Sequence, residues 1–206
     1  MHCTVTHTDP PFQPGKLSLY GLTFLVVLLL AVCLTGKAET SHVMFDKKNP
    51  SDIELKAIYL YNFLKFVKWP EGKCPQTGGV SQEIAVLGDS DYEPVLKSLQ
   101  QKLKSRNQDL KLTFYGPYKE GINYSPCCLL FITQSEVDNL PDILENLRDK
   151  PVLTVADSDA FLEKGVMITM ISHNDKIRWA INREPLQKAG LRLSAKLLDI
   201  AIQVIN

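Results

Sequence analysis

IELKAIYLYNFLKFVKWP, residues 53–70, is the most aromatic run of the chain. Leu55, Ile58, Tyr59, Asn62, Phe66 and Trp69 recur at helical spacing, which puts them on one face of a helix. Ile53, Leu60, Phe63, Leu64 and Val67 widen that face until only Glu54, Tyr61, Lys65 and Lys68 remain as a polar stripe. A helix this apolar must bury more than one side, in a core or at an interface. Ser51 or Asp52 is placed to cap its start, with Pro50 just outside. Pro70, followed by Gly72, ends it, because proline has no amide hydrogen to donate and its ring clashes with the preceding turn.

After this helix the hydrophobic period changes. Glu71 to Gln82 is a loop containing Gly72, Pro75, Gly78 and Gly79. Ile84 to Leu87 is a short unbroken apolar run stopped by Gly88-Asp89, the pattern of a buried parallel strand. Pro94 to Lys104 is helical, with Val95, Leu96, Leu99 and Leu103 on one side, and Leu110 to Tyr115 alternates as a strand near an edge does. Cys128 to Thr133 and Val152 to Ala156 are again unbroken apolar runs, separated by a helix over Leu140 to Leu147. A short helix at Ala160 to Glu163 is closed by Gly165. Val166 to Ser172 and Ile177 to Asn182 flank the polar turn His173-Asn174-Asp175-Lys176, a hairpin signal. Glu184 to Ala189 starts a helix that Gly190 interrupts, and Ser194 caps a last helix carrying Leu197, Leu198, Ala201, Val204 and Ile205 on one face. This alternation predicts an α/β three-layer sandwich. Its sheet is mostly parallel, with five to six strands, helices on both faces and a C-terminal antiparallel hairpin.

Ahead of the opening helix, Leu17 to Leu34 is apolar and uncharged, preceded by Lys16 and followed by the small residues of Gly36-Lys37-Ala38. Residues 1–38 therefore read as a secretory signal peptide cut after Ala38, and residues 39–51 as a flexible lead-in to one domain over 52–206. An uncleaved membrane anchor, or a lipoprotein modified at Cys33, are the other readings of the same leader. Each places the domain outside the cytoplasmic membrane, in the periplasm.

Charge and motifs exclude several function classes. The chain has 23 basic and 23 acidic side chains, which argues against nucleic-acid binding, for which a clustered basic excess is needed. It lacks a phosphate-binding glycine loop, HExxH, GxSxG and a kinase signature. Only His42 and His173 follow the leader, one in the lead-in and one in the hairpin turn, so neither a metal centre nor a catalytic triad is expected, and no cofactor is implied. A hydrolase or redox reading would have to rest on Asp157 or His173.

Ligands of doubly wound sheets bind at the carboxyl ends of the strands. That edge holds Gly88, Asp89, Ser90, Thr133, Ser135, Asp157 and Ser158, with Asp89, Thr133 and Asp157 the candidate ligand contacts. The same residue types also serve as ordinary turn and cap residues. Cys74, Cys127 and Cys128 lie in the exported part, where disulfides form. Cys74 could pair with either neighbour, but adjacent strand residues point to opposite faces, so only one of Cys127 and Cys128 faces it well.

LKAIYLYNFLKFVKWP, IAVLGD, CCLLFITQS, PVLTVADSDAFLEKGVMITMI, IRWAIN and AGLRLSAKLL follow one another in order. Together they resemble the YfiR-like family of periplasmic regulators over Asp52 to Ala201. The resemblance implies inhibitory binding without catalysis: a periplasmic protein that represses an inner-membrane diguanylate cyclase, lowering cyclic di-GMP and biofilm formation. It also implies homodimerisation and sequestration by an outer-membrane, peptidoglycan-associated lipoprotein. The chain departs from the family pattern at Ala85, where a first-strand cysteine is common, at Cys128, where histidine is common, and at Trp179 and Ala180, where phenylalanine and an acidic residue are usual. Ile177, Trp179, Glu184 and Leu186 are the candidate partner contacts, and for Ile177 and Trp179 core packing is the competing reading. The alternative function is a periplasmic small-ligand sensor using Asp89 and Asp157.

Overall fold

A computed structural model describes residues 51–74, 82–89, 91–173 and 176–205. The leader, the lead-in before Ser51, the loop residues Pro75, Gly78 and Gly79, Ser90, the turn residues Asn174 and Asp175 and the side chain of His173 lie outside the described residues.

The opening helix, α1, runs Asp52–Phe66. Ser51 is its N-cap. The Ser51 hydroxyl accepts from the Glu54 amide, and the Glu54 carboxylate accepts from the Ser51 amide at 2.8 Å, a reciprocal arrangement that satisfies two amides otherwise left without a helical partner. The helix stops before the position expected from Pro70. Val67–Lys68 (β1) turns extended and pairs antiparallel with Arg192–Leu193 (β8), and the Ser194 amide closes onto the Phe66 carbonyl at 2.9 Å. A β-branched residue with strand partners available takes the ladder over one more helical turn. The depth of burial also differs from the face expected from the sequence. Ala57, Leu60, Tyr61, Phe63, Leu64 and Val67 are buried, whereas Leu55, Ile58, Tyr59, Phe66 and Trp69 are half-buried. Tyr61 leaves the expected polar stripe because its hydroxyl finds the Gln108 side-chain carbonyl at 2.9 Å, which allows the ring to be buried.

The remaining elements are β2 (Gln82–Leu87), α2 (Tyr92–Lys104), β3 (Leu110–Gly116), β4 (Leu129–Ile132), α3 (Leu140–Asn146), β5 (Leu153–Ala156), β6 (Ile168–His173), β7 (Lys176–Asn182), α4 (Arg183–Lys188), α5 (Ala195–Asp199) and β9 (Gln203–Ile205). Single 3-10 turns at Gln134–Glu136 and Asp159–Phe161 follow β4 and β5. The main sheet has seven strands in the order β3-β2-β4-β5-β6-β7-β9. Strands β3, β2, β4, β5 and β6 run parallel; β7 returns antiparallel to β6, and β9 lies parallel to β7. The hairpin is therefore not the sheet edge. The last helix ends at Asp199, and Val204 and Ile205, expected on it, form the outermost strand instead.

Alternation along the central strands builds the layers. Ile84, Val86, Leu129, Phe131, Leu153 and Val155 face one core with α1 and α2. Ala85, Leu87, Leu130, Ile132 and Ala156 face the other with α3 and Phe161. The unbroken apolar runs read from the sequence are strands buried on both faces, and the architecture is the three-layer α/β sandwich those runs predict.

Candidate functional site

The carboxyl ends of β2, β4 and β5 bring Asp89, Thr133 and Asp157 to one edge. Gly88 turns the chain there at φ +101°, a conformation that favours glycine. The Thr133 and Ser135 hydroxyls pack directly onto it. A Cβ at position 88 would stand 2.1 Å from Thr133 Oγ1 and 2.6 Å from Ser135 Oγ. Thr133 Oγ1 donates to the Leu87 carbonyl at 3.3 Å, and Ser135 Oγ accepts from the Asp89 amide at 3.0 Å. The Thr133 and Ser135 hydroxyls thus close over Gly88 itself, and Asp89 is exposed beside them.

Asp157 is half-buried beside Tyr92, whose hydroxyl donates to Oδ2 at 3.4 Å. Burial raises the Asp157 carboxyl above its usual range, while Lys56, the backbone amides of Asp157 and Gln134, and Tyr92 pull the other way. Burial, then the Asp157 charge, raises Tyr92, so the phenol stays protonated as the donor. Because the folded carboxyl titrates above its unfolded value, the native state binds more protons than the unfolded chain in the window between the two. Stability therefore falls as pH rises through that window and stays lowered above it. Asp157→Asn, which keeps an acceptor for Tyr92, is expected to raise stability at neutral pH and to flatten the acid side of the profile. Urea unfolding measured from acid to neutral pH checks this, and an asparagine variant less stable at neutral pH than the parent rules it out.

Cys74 is bridged to Cys128, with Cα atoms 5.3 Å apart. Cys127 points to the opposite face of the sheet. It is a buried free thiol whose Sγ–H donates to the Tyr124 carbonyl at 3.2 Å, and burial, then Glu83, pushes it up to about 12. A thiol held protonated in this way is a packing residue and not a nucleophile.

Of the candidate partner contacts, Ile177, Trp179 and Leu186 are 2%, 5% and 3% exposed, so none of them offers a surface. Trp179 packs edge-on against Tyr59 and Phe63 at ring separations of 5.2 and 5.7 Å, and its indole N–H donates to the Leu197 carbonyl at 3.2 Å. Glu184 is exposed. It pairs with Lys188 at 2.7 Å, which lowers its carboxyl below the usual range. The Glu184 amide in turn donates to Asn182 Oδ1 at 3.3 Å, so Asn182 caps α4.

Sequence reading missed an open groove of about 910 Å³ between α3 and α4. Thr154, Met167 and Asn182 form its floor, and the pairs Glu145–Arg148 and Glu184–Lys188 stand on its walls. Thr154 Oγ1 already accepts from the Met167 amide at 3.0 Å, and Asn182 Nδ2 donates to the Leu162 carbonyl at 3.1 Å. With its floor satisfied internally, charges of both signs on its walls and apolar Leu140, Leu144 and Met167 among its lining, the groove has the mixed character of a protein-facing surface. No sequence signal marked it, because its walls come from helices that are neighbours only in space.

A family model described as YfiR/HmsC-like matches residues 53–202. The chain belongs to this YfiR/HmsC-like family. The match spans α1 to the approach of β9, so the matched residues include both the strand edge at Asp89, Thr133 and Asp157 and the α3–α4 groove. No curated protein matches. Among solved structures, the chain is similar to the ABC domain of a Streptococcus pneumoniae protein in complex with L-Trp, at 13% identity and TM-score 0.43, covering 60% of this chain and 55% of that one. It is also similar to a conserved domain protein of Vibrio cholerae O1 biovar El Tor, at 10% identity and TM-score 0.49, covering 76% of this chain and 61% of that one. At these scores the likeness carries no functional argument. Among the described residues of this YfiR/HmsC-like chain, no helix is long and apolar enough to cross a membrane, and no cluster of three or more His, Cys, Asp or Glu side chains could hold a metal.

Proposed function

We propose that the chain is an exported, non-catalytic regulator that binds the periplasmic part of an inner-membrane diguanylate cyclase and holds it inactive. The supporting observation is membership of the YfiR/HmsC-like family over residues 53–202. The leader, cut after Ala38, delivers it to the periplasm, where the Cys74–Cys128 bridge forms. The cyclase meets the α3–α4 groove, with Glu184 on its wall as the contact among the residues proposed from sequence. Ile177, Trp179 and Leu186 support that end of the fold from inside. An outer-membrane, peptidoglycan-associated lipoprotein competes for the regulator, and the regulator itself is a homodimer. The small-ligand alternative at Asp89, Thr133 and Asp157 is the second reading, less favoured because the Thr133 and Ser135 hydroxyls are already engaged with the Leu87 carbonyl and the Asp89 amide.

Deleting the gene is expected to raise cellular cyclic di-GMP and surface attachment, and resupplying the chain to restore both. Resupply with Glu184→Arg, an exposed change that leaves folding intact, is expected to restore them incompletely. Unchanged cyclic di-GMP in the deletion strain would sink the proposal.

A further inference from the structure

Ile200, Ile202 and Val204, exposed by 53%, 53% and 41%, are the large exposed hydrophobic side chains among the described residues, and all lie on or beside the sheet's outermost strand, β9. Val204 sits beside Ile181 in the ladder, and the Ile202 amide donates to the Trp179 carbonyl at 3.0 Å. Ile202 and Val204 therefore extend the layer that holds Trp179 and Ile181 past the point where the helices cover it. The backbone groups of even-numbered residues face β7, so those of Gln203 and Ile205 face outward, unpaired by the sheet. The opposite edge, β3, is guarded by Lys111, which pairs with Glu83; β9 has no such lysine, and residues 200–205 carry no charge at all.

We infer that β9 pairs antiparallel with β9 of a second copy, about a two-fold axis at Gln203, merging the two sheets. The register follows from the geometry. Gln203 opposite its own copy makes a hydrogen-bonded pair from the outward groups, and Ile202 then falls opposite Val204 of the second copy in the close, non-hydrogen-bonded pair, and reciprocally. An uncharged, self-complementary stretch selects a copy of itself over a partner recognised by charge. The pairing area is small against the ~1,200–2,000 Å² of a standard interface, so the dimer dissociates on dilution. This deepens the homodimer part of the reading above by naming its surface.

The test is Gln203→Cys in the full chain, exposed to a mild oxidant in isolated envelopes and run on a non-reducing gel. Hydrogen-bonded antiparallel partners have Cα atoms about 5.5 Å apart, within disulfide reach. A covalent dimer is expected, absent from a Gln101→Cys control on the exposed side of α2. Adding Val204→Lys to Gln203→Cys is expected to abolish the dimer band, and an intact Cys74–Cys128 bridge in that variant verifies that the monomer has folded. Gln203→Cys remaining monomeric, equal crosslinking at Gln101→Cys, or a dimer band that survives Val204→Lys overturns the inference. The readout uses neither cyclase nor cyclic di-GMP, so its failure leaves the regulatory reading standing.

Discussion

Replacing Cys74 with alanine is expected to lower the unfolding free energy by about 4 kcal/mol. The bridge to Cys128 spans 54 residues of sequence, and a cross-link that long removes much of the conformational freedom of the unfolded chain. It also holds Cys74 at φ +43°, a conformation that costs an ordinary residue about 1–2 kcal/mol and has no reason to persist once the bridge is open. For a domain with a typical stability of about 5–15 kcal/mol, the loss is a large fraction of the total. Cys74 is the better residue to change, because Cys128 is buried in the core and its truncation would add a packing defect. Urea unfolding of the variant and of the reduced parent should give the same lowered midpoint. A variant as stable as the oxidised parent would show that the bridge does not constrain the unfolded chain.

Trp179→Ala is expected to cost about 3–5 kcal/mol, the range for truncating a large buried aromatic. The indole fills the space between β7 and α1 against Tyr59 and Phe63, and its N–H is the partner of the Leu197 carbonyl in α5. Truncation would leave a cavity and a buried carbonyl without its donor. The damage should spread to β9, whose approach is fastened by the Ile202 amide on the Trp179 carbonyl. Trp179→Phe keeps a ring in the core and loses only the hydrogen bond and part of the volume, so its cost should be clearly smaller. Circular dichroism during urea unfolding ranks the three proteins without relying on tryptophan fluorescence. If the alanine variant were as stable as the parent and altered only partner binding, Trp179 would be a surface contact after all.

Much of the sheet was readable directly. Ile84 to Leu87 and Val152 to Ala156 are unbroken apolar runs because both faces of those strands are covered, and only a central strand of a layered fold demands that. The alternating Leu110 to Tyr115 read as an edge strand for the converse reason. Val204 and Ile205 misled, since a short apolar segment after a capped helix fits either period, and the free hydrogen-bonding edge of β7 settled it in favour of a strand. Tyr61 misled because its hydroxyl looks polar until Gln108, distant in sequence, is found beside it. Ile177, Trp179 and Leu186 share the pattern of an exposed apolar patch and of a core, and only the packing of α1 and α5 over them distinguishes the two.

What the amino-acid order alone determined is the set of local choices: a helix start at Ser51 or Asp52, the central strands, the hairpin and the Gly88 turn, each of which depends on neighbours a few residues away. Tertiary structure alone decided which cysteine Cys74 meets, where α1 stops, that β9 exists, and that a groove opens between α3 and α4. Those outcomes depend on groups far apart in the chain reaching hydrogen-bonding or packing distance, and a local pattern carries no record of such meetings.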